Sequence, residues 1–114
     1  MIEATIISYL GTKTKLNVYA ERPKTLGSEF ILVERTGAGM TNRIKRATIA
    51  VQSYADSLCR AAEINALVES AMDDLATVTN ISKCTLNSSY NFTDTEARKY
   101  RYQAVFDVYY MEGE

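Results

Sequence analysis

The stretch EFILVERTGAGMTNRIKRATIAVQSY, from Glu29 to Tyr54, decides the fold class of this chain. In its first part, Phe30 and Leu32 alternate with Ile31 and Val33, so the two pairs face opposite sides of a strand. Its last part alternates more clearly. One face is apolar and consists of Ala47, Ile49 and Val51, and the other is more polar and consists of Arg46, Thr48, Ala50 and Gln52. Two such strands around a glycine-containing stretch predict a β-hairpin with a long loop.

Helical spacing lies on both sides of this hairpin. Ile2, Ile6, Ile7 and Leu10 recur at helical intervals, and Gly11 is a natural stop, so a short first helix is predicted. NVYAERP then reads as a short strand that runs into the only proline. After the hairpin, Asp56 is the predicted N-cap of a helix of roughly 20 residues.

Two further strands complete the pattern. ISKCTLNSSYNF alternates weakly, whereas YRYQAVFDVYYM alternates strongly, with its even-numbered residues from Tyr100 to Tyr110 predicted to face inward. The element order predicts an α+β domain: an antiparallel β-sheet with one short N-terminal helix and one long helix packed on one face. A length of 114 residues fits a single domain, 1–114.

Composition limits the classes of function. The 13 basic and 14 acidic residues leave a net charge of −1, which disfavours a dedicated duplex-binding protein. No apolar run reaches the roughly 18 residues of a membrane span, so no membrane partner is expected. Cys59 and Cys84 are the only cysteines, and we expect both to be reduced and buried.

The residue types also disfavour catalysis. Histidine is absent, which removes the usual general base and the commonest metal ligand. Two distant cysteines without histidine do not make a zinc site. Asp73 and Asp74 are adjacent on a helix and point in different directions. The chain is predicted not to be an enzyme, with no catalytic, cofactor-binding or metal-binding residues.

Gly37 and Gly39 do not predict a phosphate-binding loop, because a strand rather than a helix follows them. We expect them to supply positive φ angles at the hairpin tip. The nearby Arg35, Arg43 and Lys45 are predicted to line one side of the hairpin, with Arg46 on the opposite face. These three residues are either a solvated strand end or a contact with an acidic protein partner or DNA.

A second basic stretch, ARKYRY from Ala97 to Tyr102, raises the same choice. Basic residues interleaved with tyrosines can bind single-stranded nucleic acid by stacking and charge. Tyr100 and Tyr102, however, share the apolar face of the last predicted strand, which favours a core or interface role.

Several segments together resemble a known family: VYAERP, EFILVERTG, ATIAVQSYA, the long helix and the terminal YNFTDT and KYRYQAVFDVYY. They look like the tail-completion or tail-terminator proteins of long-tailed bacteriophages and prophages, and the resemblance covers nearly the whole chain. The resemblance rests on the amino-acid sequences of the strands and on the order of the elements rather than on a catalytic motif.

The resemblance implies a structural virion protein of the tail or neck, assembled in the bacterial host cytoplasm. Such subunits form a homo-oligomeric ring, typically a hexamer, that caps the head-proximal end of the tail tube and ends tail polymerisation. Expected partners are other copies of the chain, the tail tube protein and the head connector or head-closure protein, with DNA passing through the lumen without specific binding. Arg35, Arg43 and Lys45 are then hypothetical ring or partner contacts.

Two alternatives stay open from the sequence. One is a different neck protein of the same particle, either the head-closure or the connector adaptor subunit. The other is a small nucleic-acid-binding regulator that uses the two basic stretches.

Overall fold

The structure is a computed structural model that describes residues 2–24, 27–78, 80–93 and 99–111. Its elements in chain order are α1 Ile2–Thr14, β1 Val18–Tyr19, β2 Phe30–Thr41, β3 Ile44–Ala55, α2 Leu58–Asp73, a 3₁₀ turn Leu75–Thr77, β4 Ile81–Asn91 and β5 Tyr100–Tyr110. The predicted α+β class is confirmed, with a short N-terminal helix and a long helix packed against a sheet.

The five strands form one sheet in the order β1-β2-β3-β5-β4. The four long strands pair with one another in antiparallel fashion, as predicted. The sheet as a whole is mixed, however, because β1 pairs in parallel with β2 at Val18 and Tyr19. Parallel neighbours need a longer connection than a tight hairpin, and residues 20–29 supply it.

Both helices pack on one face of the sheet. Ile6 and Leu10 of α1 and Ile64 and Val68 of α2 are fully buried there. The strands contribute alternate residues to this core, as the period-2 pattern predicted, and these are Ile31, Val33, Ala47, Ile49, Val51, Ala55, Ile81, Ala104, Phe106, Val108 and Tyr110. The long alternating strands therefore present one apolar face to the helices, and their other face is not covered by these helices.

Two predicted helix boundaries are wrong. The first helix continues past Gly11 to Thr14, and Lys15 takes the left-handed conformation (φ 60°) that ends it, with its N–H donating to the Gly11 carbonyl at 3.0 Å. The N-cap of α2 is Ser57 rather than Asp56, because the Ser57 hydroxyl accepts from the Arg60 N–H at 3.1 Å. The Asp56 carboxylate instead pairs with Lys99 at 3.3 Å.

The predicted long loop of the first hairpin is also wrong. β2 and β3 stay paired through both glycines to Thr41 and Ile44, so only Asn42 and Arg43 form the turn. Their φ angles are +50° and +69°, as in a type I′ turn, and no described glycine has a positive φ. A β-bulge between Arg35 and Gly37 absorbs one residue of β2. The hairpin is therefore a continuous part of the sheet and not a loose arm.

Candidate interaction surface

The sheet face opposite the helices is a candidate surface, and no helix in the described ranges covers it. We call it the open face. The pairing register places its side chains in rows across the strands, and its members are Phe30, Leu32, Glu34, Arg46, Thr48, Ala50, Gln52, Tyr54, Lys83, Thr85, Ser88, Tyr90, Arg101, Gln103, Val105, Asp107 and Tyr109. Exposed antiparallel sheets commonly carry polar residues on such a face.

Side-chain hydrogen bonds tie the middle of the open face together. The Asp107 carboxylate accepts from the Thr48 hydroxyl at 3.0 Å and from the Asn87 amide at 3.2 Å. Two rows further along, the Gln52 amide donates to Gln103 at 2.8 Å, and the Gln103 amide donates to the Tyr90 hydroxyl. These bonds link β3, β5 and β4, so the polar groups hold each other in fixed positions.

An aromatic cluster closes one end of the open face. The Phe30 and Tyr54 rings stack with centroids 4.5 Å apart and an interplanar angle of 11°. The Arg101 guanidinium lies 4.3 Å from the Phe92 ring centroid and donates to the Tyr54 hydroxyl at 2.9 Å. Tyr54 is only 1% exposed, so this end is a structural brace rather than a free binding site.

The other end of the open face is basic and more open. Lys83 places its Nζ 5.7 Å from the centroid of the Tyr109 ring, and Arg46 is the cross-strand neighbour of Tyr109 on β3. Gly39 lies on the far side of Arg46, where an added Cβ would come within 3.2 Å of the Arg46 Nη2. The sequence pattern placed Arg46 on this face but missed Lys83, whose position depends on the bulges of β4.

The three predicted contact residues lie in different settings along the hairpin. Arg35 and Lys45 point to the helix side of the sheet, opposite to Arg46 as predicted, and both line a depression next to Met40. The Arg35 Nε also pairs with the Glu3 carboxylate of α1 at 3.4 Å, so Arg35 has a structural role. Arg43 lies in the exposed turn.

The residues of the second basic stretch also lie in different settings. Tyr102 packs against the core, as expected, whereas Tyr100 lies on the same face of β5 but is 39% exposed. Ala97 and Arg98 lie outside the described residues. The four remaining residues therefore do not make a continuous stacking platform with the basic end of the open face, which lies at the opposite end of β5.

Two side chains packed near the core, Cys84 and Tyr9, have a raised pKa. Burial raises the pKa of the Cys84 thiol to about 12, and nearby Asp73 and Asp107 add to the effect. Burial also raises the pKa of Tyr9, whose hydroxyl donates to the Ala71 carbonyl at 2.6 Å. Within the described residues no three acidic, cysteine or histidine side chains are grouped to hold a metal ion.

No helix among the described residues combines the length and apolar character of a membrane span. Comparison of the chain with protein-family models and with curated proteins returns no match.

Proposed function

We propose that this chain is the structural subunit of a homo-oligomeric ring, a hexamer, that caps the head-proximal end of a bacteriophage tail tube. In this role it ends tail polymerisation and forms part of the joint between tail and head. Its partners are further copies of itself, the tail tube protein and the head-closure protein. The resemblance of the strands and long helix to tail terminators is the starting point for the proposal.

The observation that carries the proposal is the open face. It is a polar sheet surface held by cross-strand hydrogen bonds among Thr48, Asp107, Gln52 and Gln103, and its polar groups serve one another rather than converge on a substrate. Such a face suits the wall of a passage or a flat protein contact.

The charge of the open face fits passage of DNA without retention. Arg46, Lys83 and Arg101 are interspersed with Glu34 and Asp107 on the same face. A surface that holds nucleic acid needs many unopposed cations, because each phosphate contact adds to affinity. Mixed charge keeps such affinity low.

The first experiment is light scattering of the purified protein over a wide concentration range. The proposal predicts a species of about six subunits, alone or after addition of purified tail tubes. Tubes incubated with the protein should then stop growing and show an added ring at one end by electron microscopy. Tubes that elongate normally at saturating protein would contradict the proposal.

Isolated tails and isolated heads distinguish a tail terminator from the neighbouring neck proteins. A terminator stays with isolated tails, whereas a head-closure or adaptor subunit stays with isolated heads. Mass spectrometry of the two separated particles gives the assignment directly.

A second candidate function, binding of single-stranded nucleic acid, is favoured by the position of Tyr109 between Arg46 and Lys83. Base stacking on Tyr109 with flanking cations would give salt-sensitive affinity. Titration of a labelled oligonucleotide at two salt concentrations, with Tyr109→Ala as the matched variant, tests it. The ring proposal predicts little binding at physiological salt and no effect of the substitution.

A further inference from the structure

A groove with an apolar floor and an acidic rim lies between α2 and β4. Its floor is formed by Met72 of α2, Cys84 and Leu86 of β4 and Phe106 of β5, and Glu69, Ser70 and Asp73 complete the lining. We call it the α2–β4 groove. It has a volume of about 320 Å³. Leu86 is 45% exposed within it, so an apolar surface is open to a partner.

The tip of the β2–β3 hairpin has the complementary character. Met40 is 68% exposed, Lys45 lies directly opposite it on β3, and Arg43 is in the turn between the strands. We call these three residues the hairpin knob. Methionine is a flexible apolar side chain that adapts to irregular surfaces, and here two cations flank it.

The groove and the knob lie at opposite margins of the sheet. β4 is the last strand on one side, and on the other side β1 covers only the Ile31–Leu32 part of β2, so the tip half of β2 is a margin within the described residues. Three strand spacings of about 4.8 Å separate β2 from β4, or roughly 14 Å. The knob and the groove of one chain therefore do not meet, and a contact between them joins two copies.

We propose that the α2–β4 groove receives the hairpin knob of a second copy of this chain. Met40 covers Leu86 and the groove floor, while Arg43 and Lys45 face Glu69 and Asp73 at the rim. Apolar contact at the centre with opposite charges at the rim is the usual composition of a specific interface.

This contact is heterologous, since it joins two different patches. A heterologous contact repeats from copy to copy and closes into a ring when the rotation permits. The inference rests on the proposed function in one respect: it supplies the contact by which the ring would close.

Disulfide trapping tests the contact even where assembly is transient. In a Cys59→Ser/Cys84→Ala background, the M40C/L86C variant should form intermolecular disulfides on oxidation, giving dimers and larger products on a non-reducing gel. A disulfide requires Cα atoms within about 7 Å, which excludes a bond between these positions in one chain. M40C/L67C is the matched control, because Leu67 is also 45% exposed but does not line the groove.

Trapping of M40C/L86C at least tenfold above the control supports the proposal. Equal yields from the two variants, or no intermolecular product from M40C/L86C at high protein concentration, would overturn it. Native Cys84 also lines the groove, and its replacement in both variants prevents a disulfide between it and position 40.

A mixing experiment tests the direction of the contact. M40E blocks the knob and L86E blocks the groove, so each variant alone should be monomeric at concentrations where the parent assembles or cross-links. An equimolar mixture keeps one intact knob and one intact groove, and it should give a 1:1 dimer that grows no further. L67E should behave as the parent, and a mixture that stays monomeric counts against the proposal.

These outcomes separate the inference from the proposed function. A protein that caps tail tubes but ignores M40E and L86E retains the function and loses this contact. A protein that traps through the groove and forms the 1:1 dimer but never caps tubes retains the contact and loses the function.

Discussion

At the scale of single residues, the two thiols have opposite environments. Cys59 lies exposed in the first turn of α2, whereas Cys84 is half-buried on the helix-facing side of β4. Thiolate is the reactive form, so a thiol that stays protonated reacts slowly. The sequence predicted that both cysteines are reduced and buried. The predicted burial is wrong for Cys59, because its position on α2 leaves it exposed.

We therefore expect selective alkylation of Cys59. With excess iodoacetamide at pH 8, intact-mass spectrometry should show one adduct forming quickly and a second forming at least tenfold more slowly. Cys59→Ser should remove the fast adduct only. Two adducts of equal rate would show that Cys84 is as accessible as Cys59.

The Glu29–Arg60 pair is another residue-scale feature, and it was not predicted. The Arg60 Nε and Nη2 donate to the two Glu29 carboxylate oxygens at 2.8 and 3.1 Å, which joins the start of β2 to α2. The hydrogen bond from Arg60 lowers the pKa of Glu29 below its ordinary value of 4.5. A depressed carboxyl pKa stabilises the fold above the unfolded pKa and ceases to do so as pH falls through the folded pKa.

Glu29→Gln should accordingly melt below the parent at pH 7, and the difference should shrink as pH falls from about 5 towards 3. Paired thermal melts across this range measure it. A matched control is Glu63→Gln, because Glu63 is 61% exposed and contacts Arg60 only at 3.7 Å. A difference that stays constant with pH would assign the effect to packing.

At the scale of elements, the long alternating strands and α2 were predictable because one face of each is buried. The turn of the first hairpin was not predicted, because Gly37 and Gly39 indicated a loop several residues before the actual turn at Asn42 and Arg43. Asparagine tolerates the left-handed conformation well, but arginine does so at a cost, so the pair is a weak turn signal. A glycine inside a strand often marks a bulge, so Gly37 was a sequence signal for the bulge at Arg35–Gly37 as well as for a loop.

Arg43→Gly should stabilise the fold by about 0.5–1 kcal/mol. Relief of a left-handed non-glycine residue gains about 1–2 kcal/mol, and the added freedom of glycine in the unfolded chain offsets part of it. Urea denaturation at a concentration where the protein is monomeric measures the change.

Gly39→Ala is the matched control for the hairpin. Gly39 has no positive φ, and its added Cβ would meet only the flexible end of Arg46 at 3.2 Å. We expect a small change in stability. A loss of several kcal/mol at Gly39, with no gain at position 43, would restore the prediction that the glycines form the tip.

At the scale of the whole molecule, what the sequence could not predict is which strands are neighbours. The open face assembles Arg46, Asp107 and Lys83 from three strands, and their rows follow only from the order β3-β5-β4 and its register. Hydrophobic alternation assigns each residue to a face but says nothing of the strand beside it. The α2–β4 groove likewise depends on where the helix crosses the sheet.

The three predicted contact residues should differ in their effect on stability, because the assembled sheet places them in different settings. Arg35→Ser should lower stability by up to about 1 kcal/mol, because it removes the partner of Glu3, whose side chain is 17% exposed. Arg43→Ser should change stability by less than about 0.5 kcal/mol, since Arg43 lies in an exposed turn. Denaturation of the two variants side by side measures both, and equal effects would contradict the structural role of Arg35.

The interior position of β5 in the sheet has a consequence for how the chain folds during synthesis. β5 follows every other strand in chain order, yet it lies between β3 and β4 and supplies Ala104, Phe106 and Val108 to the core. Until it leaves the ribosome, β4 has no strand partner and β3 has an unpaired edge. Pairings this distant in sequence form late, and unpaired apolar edges invite aggregation in the meantime. A nascent chain halted before Tyr100 is thus a substrate for chaperones or proteases, whereas the addition of one strand completes the sheet.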